Sequence, residues 1–207
     1  NTFSIYKYFF FLARFLSKRN LVVLNPITGR DTDDVLYSTP IQVQFTKKEI
    51  DDGLDYLKKM GKGPNQEYVC VVNRDSAYKN KYFGDHHEFN PWNSSWDYHN
   101  FRDSNIEDYT KAINYFLKKG FFVIRMGKSV EKELVINDKN FIDYSKSKFR
   151  SDFLDVFLFY NSRLNLVSES GILVASMIFR KPMCSVNFAE FAGLQTWHKK
   201  NIIIFKK

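Results

Sequence analysis

Two arginines, one Ser-Glu-Ser-Gly run and one histidine-containing segment are the parts of this sequence best suited to do chemistry. Arg74 ends the apolar run "EYVCVVNR" (67–74), with Asn73 before it and Asp75 after it. Arg125 sits at the end of "FFVIRM" (121–126), and Gly127 follows. Ser168 and Glu169 close "LNLVSE" (164–169), and Ser170 and Gly171 open the next segment. The segment "HNFRD" (99–103) brings His99, Asn100 and Arg102 to the start of a helix, where they suit substrate contact. Guanidinium groups present fixed donors that match phosphate oxygens in pairs. Helix starts add free amides and a partial positive charge, and glycine admits a ligand close to the backbone. Arg74, Arg102, Arg125, Gly127, Ser168, Ser170 and Gly171 are therefore candidate phosphate-binding residues. Glu169 is a candidate acceptor for ribose hydroxyls. Each has a plainer reading: Arg74 pairs with a carboxylate, and Ser-Gly is a cap and a tight turn. Arg125 has the stronger case, because an arginine ending an apolar strand needs an anionic partner.

The elements that must position these residues alternate. Strands are expected at 67–74, 121–126, 164–169, 181–188 and 201–205, with helices between the first four. Ser104 and Glu107 form a capping-box pattern before a helix marked by Ile106, Tyr109, Ile113, Phe116 and Leu117. Gly120 is placed to stop that helix. A β-α-β-α-β-α-β order argues for an α/β fold: a Rossmann-like parallel sheet with helices on both faces. Such sheets bind ligands beyond the carboxyl ends of their strands, which selects the residues named above. Upstream, an amphipathic helix is expected around Ile5, Phe9, Leu12 and Leu16, and a short strand at 21–25. A second capping box, Thr46 and Glu49, opens a helix that "GKGPNQ" ends. The boundary expected there gives residues 1–62 as part of an N-terminal α/β domain or a linker, and 63–207 as the nucleotide-binding domain.

Other chemistries find no motif. His86, His87 and Glu88 lie together in a long loop, but adjacent histidines point differently and no HExxH is present. "DTD" (31–33) matches a metal-binding Asp-x-Asp only as a string, so no metal is expected. Cys70 and Cys184 lie inside apolar runs, without zinc spacing, and read as buried thiols of a reducing compartment. The chain of 207 residues carries a net charge of +8, but its lysines and arginines are scattered in pairs rather than gathered in a stripe. That distribution argues against nucleic acid as a partner. The opening hydrophobic stretch is interrupted by Lys7 and Arg14 and falls short of the ~20 residues of a membrane span. It suits a core helix or, with Lys18 and Arg19, a helix lying on a membrane surface.

Taken in order, "VVNRDSAY", "YHNFRDSNIEDYTKAINYFLKKGFFVIRMG", "DYSKSKFRSDFLDVFL" and "SESGILVASMIFRKPMCSVNF" resemble a family of bacterial GT-B-type glycosyltransferases of surface-polysaccharide biosynthesis. Arg74-Asp75, His99 to Arg102, Arg125 to Gly127, Arg150 to Asp152 and Ser170-Gly171 carry the resemblance, which spans about residues 67–205. It implies two Rossmann-like domains facing across a cleft, with the C-terminal one holding the donor. It also implies that Arg74 and Arg125 face donor phosphates, with Ser170 and Gly171 near the pyrophosphate, and that the chemistry needs no metal or cofactor. The family further implies a longer protein, of which residues 1–60 are the tail of an N-terminal domain.

The expected reaction is transfer of a sugar from a nucleoside-diphosphate sugar to a glycan or lipid-linked acceptor. It would take place in the cytoplasm, with peripheral association at the inner face of the membrane. Asp75 and His99 are the candidate bases for the acceptor hydroxyl. The alternatives are a non-catalytic nucleotide or sugar-phosphate binding module and, further off, a basic nucleic-acid-binding domain.

Overall fold

Every residue of strand β1, Tyr68–Val72, is buried, as a strand covered on both faces should be. Alternate side chains go to opposite faces. Tyr68, Cys70 and Val72 join one hydrophobic core, and Val69 and Val71 join the other. In the computed structural model, which describes Asp31 and residues 34–83 and 97–207, five more strands flank β1. These are β2 (Phe122–Arg125), β3 (Phe141–Asp143), β4 (Leu164–Val167), β5 (Met183–Phe188) and β6 (Ile202–Phe205). All pair in parallel, in the order β3-β2-β1-β4-β5-β6. This is the strand order of a Rossmann-like α/β fold.

Six α-helices accompany the sheet among the described residues: α1 (Val35–Ser38), α2 (Lys47–Lys59), α3 (Ala77–Tyr82), α4 (Thr110–Lys118), α5 (Asp152–Asn161) and α6 (Leu173–Ile178). One face of the sheet packs on α2 through Leu57 and on α5 through Leu154, Phe157 and Leu158. The other face packs on α4 through Ile113 and Leu117, with Ile106 and Tyr109 just ahead of it. Thr46 and Glu49 close their capping box at the start of α2. Helix α4 stops at Gly120, whose φ of +84° suits glycine. There the Gly120 amide bonds the Leu117 carbonyl and the Phe121 amide bonds the Phe116 carbonyl, a Schellman ending. Where α2 crosses α5, a Cβ on Gly53 would lie 2.3 Å from the Phe157 ring, so only glycine permits this approach.

Four expectations change. Strand β3 is new: three half-buried residues on the sheet edge, too short to leave a periodic trace. Ser104 does not cap the helix that follows it. Asn105 does, accepting from the Glu107 amide, while the Ser104 hydroxyl pairs with that of Tyr109. The boundary at 62 falls inside one shared core, because Leu57 and Met60 pack with Phe122 and Phe157. The apolar segment "KFRSDFLDVFLFYNS" (148–162) ahead of β4 reads as a helix throughout, but it is helical only from Asp152, where Ser151 caps it by accepting from the Leu154 amide. The expected helix over Ile5–Leu16 and strand at 21–25 lie outside the described residues.

Candidate functional site

The direction of strand progression reverses between β1 and β4, and a crevice of about 410 Å³ opens at their carboxyl ends. Val72, Tyr78, Met126 and Ile172 give it apolar walls. Arg74, Lys79 and Lys128 bring positive charge, and Asp75, Asp155 and Ser170 bring acceptors. Sequence and structure therefore agree that Arg74, Asp75, Gly127, Ser170 and Gly171 meet at one rim.

Arg74 is held firmly there. Its Nε donates to Asp103 Oδ1 at 3.1 Å and its Nη1 to the Glu169 carbonyl at 3.1 Å. Its backbone amide donates to Ser168 Oγ at 2.5 Å. Asp103 also accepts from the Ser76 hydroxyl, so one carboxylate ties the end of β1 to the start of α3. Ser168 is buried beneath the rim. It fixes the β1–β4 junction and stands too deep to meet a ligand.

Arg125 does not face the crevice. It is fully buried. Its Nη1 donates to Ser145 Oγ at 2.6 Å and lies 3.3 Å from both Asp143 oxygens, while Nη2 donates to Asn73 Oδ1 at 3.1 Å. Its anionic partner is internal, supplied by β3. Asn73 also donates to the Ser104 carbonyl at 3.1 Å, which links this buried group to the segment ahead of α4.

The two candidate bases are likewise engaged. Asp75 accepts from the Ala77 amide and the Glu131 amide, each at 3.1 Å, one on each carboxylate oxygen. It pins the start of α3 to the loop after β2. His99 lies on a short 3-10 turn, Asp97–Arg102, and does not line the crevice. Its Nδ1 faces Arg102 Nη2. A guanidinium only donates, so Nδ1 accepts and the neutral ring carries its proton on Nε2. Burial pushes the His99 pKa down, and Arg102, Arg74 and Lys79 push it the same way. That keeps the ring neutral, with its basic nitrogen occupied. Arg102 also pairs with Glu190 at 3.3 Å, just after β5, and does not line the crevice.

Glu169 is buried, accepts from the Glu190 amide at 3.2 Å, and lines no part of the crevice. The ribose role expected of it therefore has no geometric support. Gly127 earns its place sterically: its φ is +155°, and a Cβ there would lie 2.5 Å from Val130 Cγ1. Gly171 differs, with nothing within 4 Å of where its Cβ would stand. It leaves open space on the crevice wall. Beside it, the Ser170 hydroxyl has no hydrogen-bond partner. Helix α6 begins only at Leu173 and spans six residues, with no side-chain cap.

No known protein family, curated protein or solved structure matches the chain. The resemblance to glycosyltransferases accordingly stands on its motifs. Among the described residues, no group of three or more His, Cys, Asp and Glu side chains is placed to hold a metal ion. His86, His87 and Glu88 lie outside the described residues. Of the "DTD" string only Asp31 is described, buried with its amide on Thr196 Oγ1 and a carboxylate oxygen on the Tyr37 amide. No helix among the described residues is long and apolar enough to cross a membrane.

Four residues of the crevice have no counterpart in the sequence reading: Tyr78 and Lys79 on α3, Lys128 after β2, and Asp155 on α5. Burial pulls the Lys79 pKa down, and Arg74 and Arg102 add to that pull against the opposing effect of Asp103. Cations that weaken one another in this way attract an anion to their shared face. The signal for Lys79 was in the sequence, in the pair Tyr78-Lys79 just after Arg74-Asp75, but it fell in a stretch without apolar periodicity.

Proposed function

We propose that this crevice holds the diphosphate-bearing donor of a glycosyltransferase. The enzyme would transfer a sugar from a nucleoside-diphosphate sugar to a glycan or lipid-linked glycan, in the cytoplasm at the inner face of the membrane. The observation that carries this reading is the crevice at the strand-order reversal, where Arg74, Lys79 and Lys128 stand beside the apolar Val72, Tyr78, Met126 and Ile172. Open α/β sheets bind nucleotides at such a point. A fold of this kind serves many activities, so the reading also draws on the ordered motifs that resemble the glycosyltransferase family. In it, Lys79 and Lys128 neutralise charge that builds on the departing diphosphate, a preorganised stabilisation. Arg74, clamped by Asp103, sets the rim. Tyr78 and Ile172 give a nucleoside an apolar surface.

A thermal-shift screen against GDP, UDP, CMP, dTDP and their common sugar conjugates tests the reading. A ligand that binds only the folded chain stabilises it by about 2.7 kcal/mol at 100 times its Kd. The expected result is a selective rise in Tm with one nucleoside diphosphate. A flat response to the whole panel would overturn the assignment.

A second reading, a nucleotide-binding module without transfer activity, is favoured by one observation: both expected bases, Asp75 and His99, are committed to internal bonds. Donor turnover separates the two. Release of free sugar, or transfer to an acceptor glycan, supports the enzyme; tight binding with neither supports the module.

A further inference from the structure

Lysines that lie scattered along the sequence are gathered by the fold. All strands of the sheet are parallel, so the turns that lead into them share one end of the sheet, opposite the crevice. Lys62, Lys119, Lys139, Arg163, Lys181 and Lys200 stand in the turns before β1, β2, β3, β4, β5 and β6 respectively. Hydrogen bonds join these turns into one surface. Gln66 Nε2 donates to the Gly120 carbonyl and to Asn140 Oδ1. The Asn165 amide donates to the Pro182 carbonyl, and the Met183 amide to Asn201 Oδ1. The carboxylates of these turns are Glu67, which pairs with Arg163 at 3.3 Å, and Asp138. The carboxyl end of the sheet differs, because Asp75, Asp103, Asp143 and Glu169 stand among its cations. Burial holds the Lys181 pKa down, and Arg163 adds to that pull, as expected where cations outnumber anions.

Tyrosines stand beside the lysines of this end. Lys59 Nζ lies 5.1 Å from the centre of the Tyr56 ring, and Lys119 Nζ 5.7 Å from that of Tyr115. Lys181 lies 5.8 Å from Tyr160 and Lys199 4.4 Å from Tyr37 in the same way. Tyr56, Tyr115 and Tyr160 occupy the last turns of α2, α4 and α5, which lead into β1, β2 and β4. Tyr37 and Tyr115 are exposed. Tyrosine beside lysine suits a membrane interface, where the ring sits at headgroup level and the ammonium reaches past it to lipid phosphates. Lysines are hydrated point charges that fit a diffuse anionic surface, whereas arginine forks mark fixed contacts to phosphates and bases. The arginines here are already engaged, Arg163 by Glu67 and Arg180 by the carbonyls of Leu36, Met177 and Ile178. We propose that the amino end of the sheet lies on an anionic lipid surface, with its lysines meeting the headgroup phosphates. This orientation rests on the membrane location proposed above. It leaves the crevice, at the opposite end, open to a dissolved nucleotide sugar.

Co-sedimentation of the full chain with vesicles tests this. The vesicles are phosphatidylcholine alone, or equal parts phosphatidylcholine and phosphatidylglycerol. The expected result is binding to the anionic vesicles only, weakening as salt shortens the reach of their charge. Each lysine near such a surface is worth roughly fivefold in binding. Two double variants at exposed positions, Lys118→Gln with Lys119→Gln and Lys199→Gln with Lys200→Gln, should therefore each lose roughly thirtyfold. Lys146→Gln with Lys148→Gln, exposed at the carboxyl end, removes the same charge and should change binding by less than about twofold. Equal losses in the three double variants would assign the attraction to net charge and overturn the proposal. So would equal binding to both kinds of vesicle, or none to either. Tighter binding to a DNA or RNA duplex than to the anionic vesicles at the same salt concentration, lost in the amino-end variants, would give this end to nucleic acid and overturn it as well. A chain that binds nucleoside diphosphate but no vesicles loses this orientation alone; one that binds vesicles but no nucleotide loses only the donor site.

Discussion

The two sides of the crevice are built differently. On the β2–β3 side, Arg125, Asp143, Ser145 and Asn73 bond to one another behind the surface. One donor, Arg125 Nε, stays unmet there, but it is sealed in a fully buried side chain. On the other side, Asp155 of α5 and Ser170 of the turn after β4 belong to the lining of the crevice itself. The charged groups of the first side face one another in the interior, whereas those of the second side reach the crevice. From sequence Arg125 has the stronger case of the two arginines. The difference teaches that a charged residue at the end of a strand marks a binding site only when the fold brings it to an open surface.

The largest effect that would sharpen this comparison is on stability. Arg125→Ala strands Asp143 in the interior, and breaking a buried pair in this way costs about 3–5 kcal/mol. Chemical denaturation should show that loss. A folded Arg125→Ala chain of normal stability and weakened nucleotide binding would reverse the assignment of the two sides. Gly127→Ala comes next, since its Cβ would collide with Val130 in an unfavourable backbone conformation. Overpacking of this kind costs about 1–3 kcal/mol, read by the same measurement. Lys79→Ala and Lys128→Ala should each weaken nucleoside-diphosphate binding by about 1.5–3 kcal/mol if a charged hydrogen bond is lost. Calorimetry would detect this, with Tm in the absence of ligand nearly unchanged.

The smallest expected effect concerns pH. The folded-state pKa values of His99 and His198 are both lowered, chiefly by burial, with added repulsion from Arg102 at His99 and from Lys200 at His198. The unfolded chain therefore takes up protons first as pH falls. Stability should decline as pH drops below the ordinary histidine range near 6.5, and level off once the folded-state values are passed. Denaturation midpoints between pH 8 and 5 would show the slope, and His99→Gln should flatten part of it. An unchanged slope would remove His99 from the cationic cluster around Arg102.

Much of the frame was legible in the residues. Continuous apolar runs mark β1, β2 and β4, because a strand buried on both faces has few polar positions; β5 and β6 also show as apolar runs, although β6 is a largely exposed edge strand. The rim followed from the strand ends. What escaped notice has a common cause. Asp143 lies on β3, a strand too short to show a period, so Arg125 seemed to lack a partner and was assigned to a ligand. Asp155 lies between the buried residues Leu154 and Phe157 of a strongly apolar helix, and nothing local says that its one polar turn faces a crevice. Tyr78 and Lys79 fall on a six-residue helix with no buried residue, which hydrophobic spacing cannot reveal. Asp75 and His99 suit a base by chemical type alone, whereas their partners, backbone amides and Arg102, are visible only in three dimensions.

The place of β1 between β2 and β4 has a kinetic consequence. The pairing of Val69 with Leu164 joins residues from distant parts of the chain. At synthesis rates of about 5–20 residues per second, β4 leaves the ribosome roughly 5–20 s after β1. For that interval, one edge of a strand that ends up buried along its whole length has nothing to pair with. Parallel sheets with such remote contacts fold slowly and expose sticky intermediates. The arrangement that brings Arg74 beside Ser170 thus also makes the nascent chain dependent on protection while it waits for its second half.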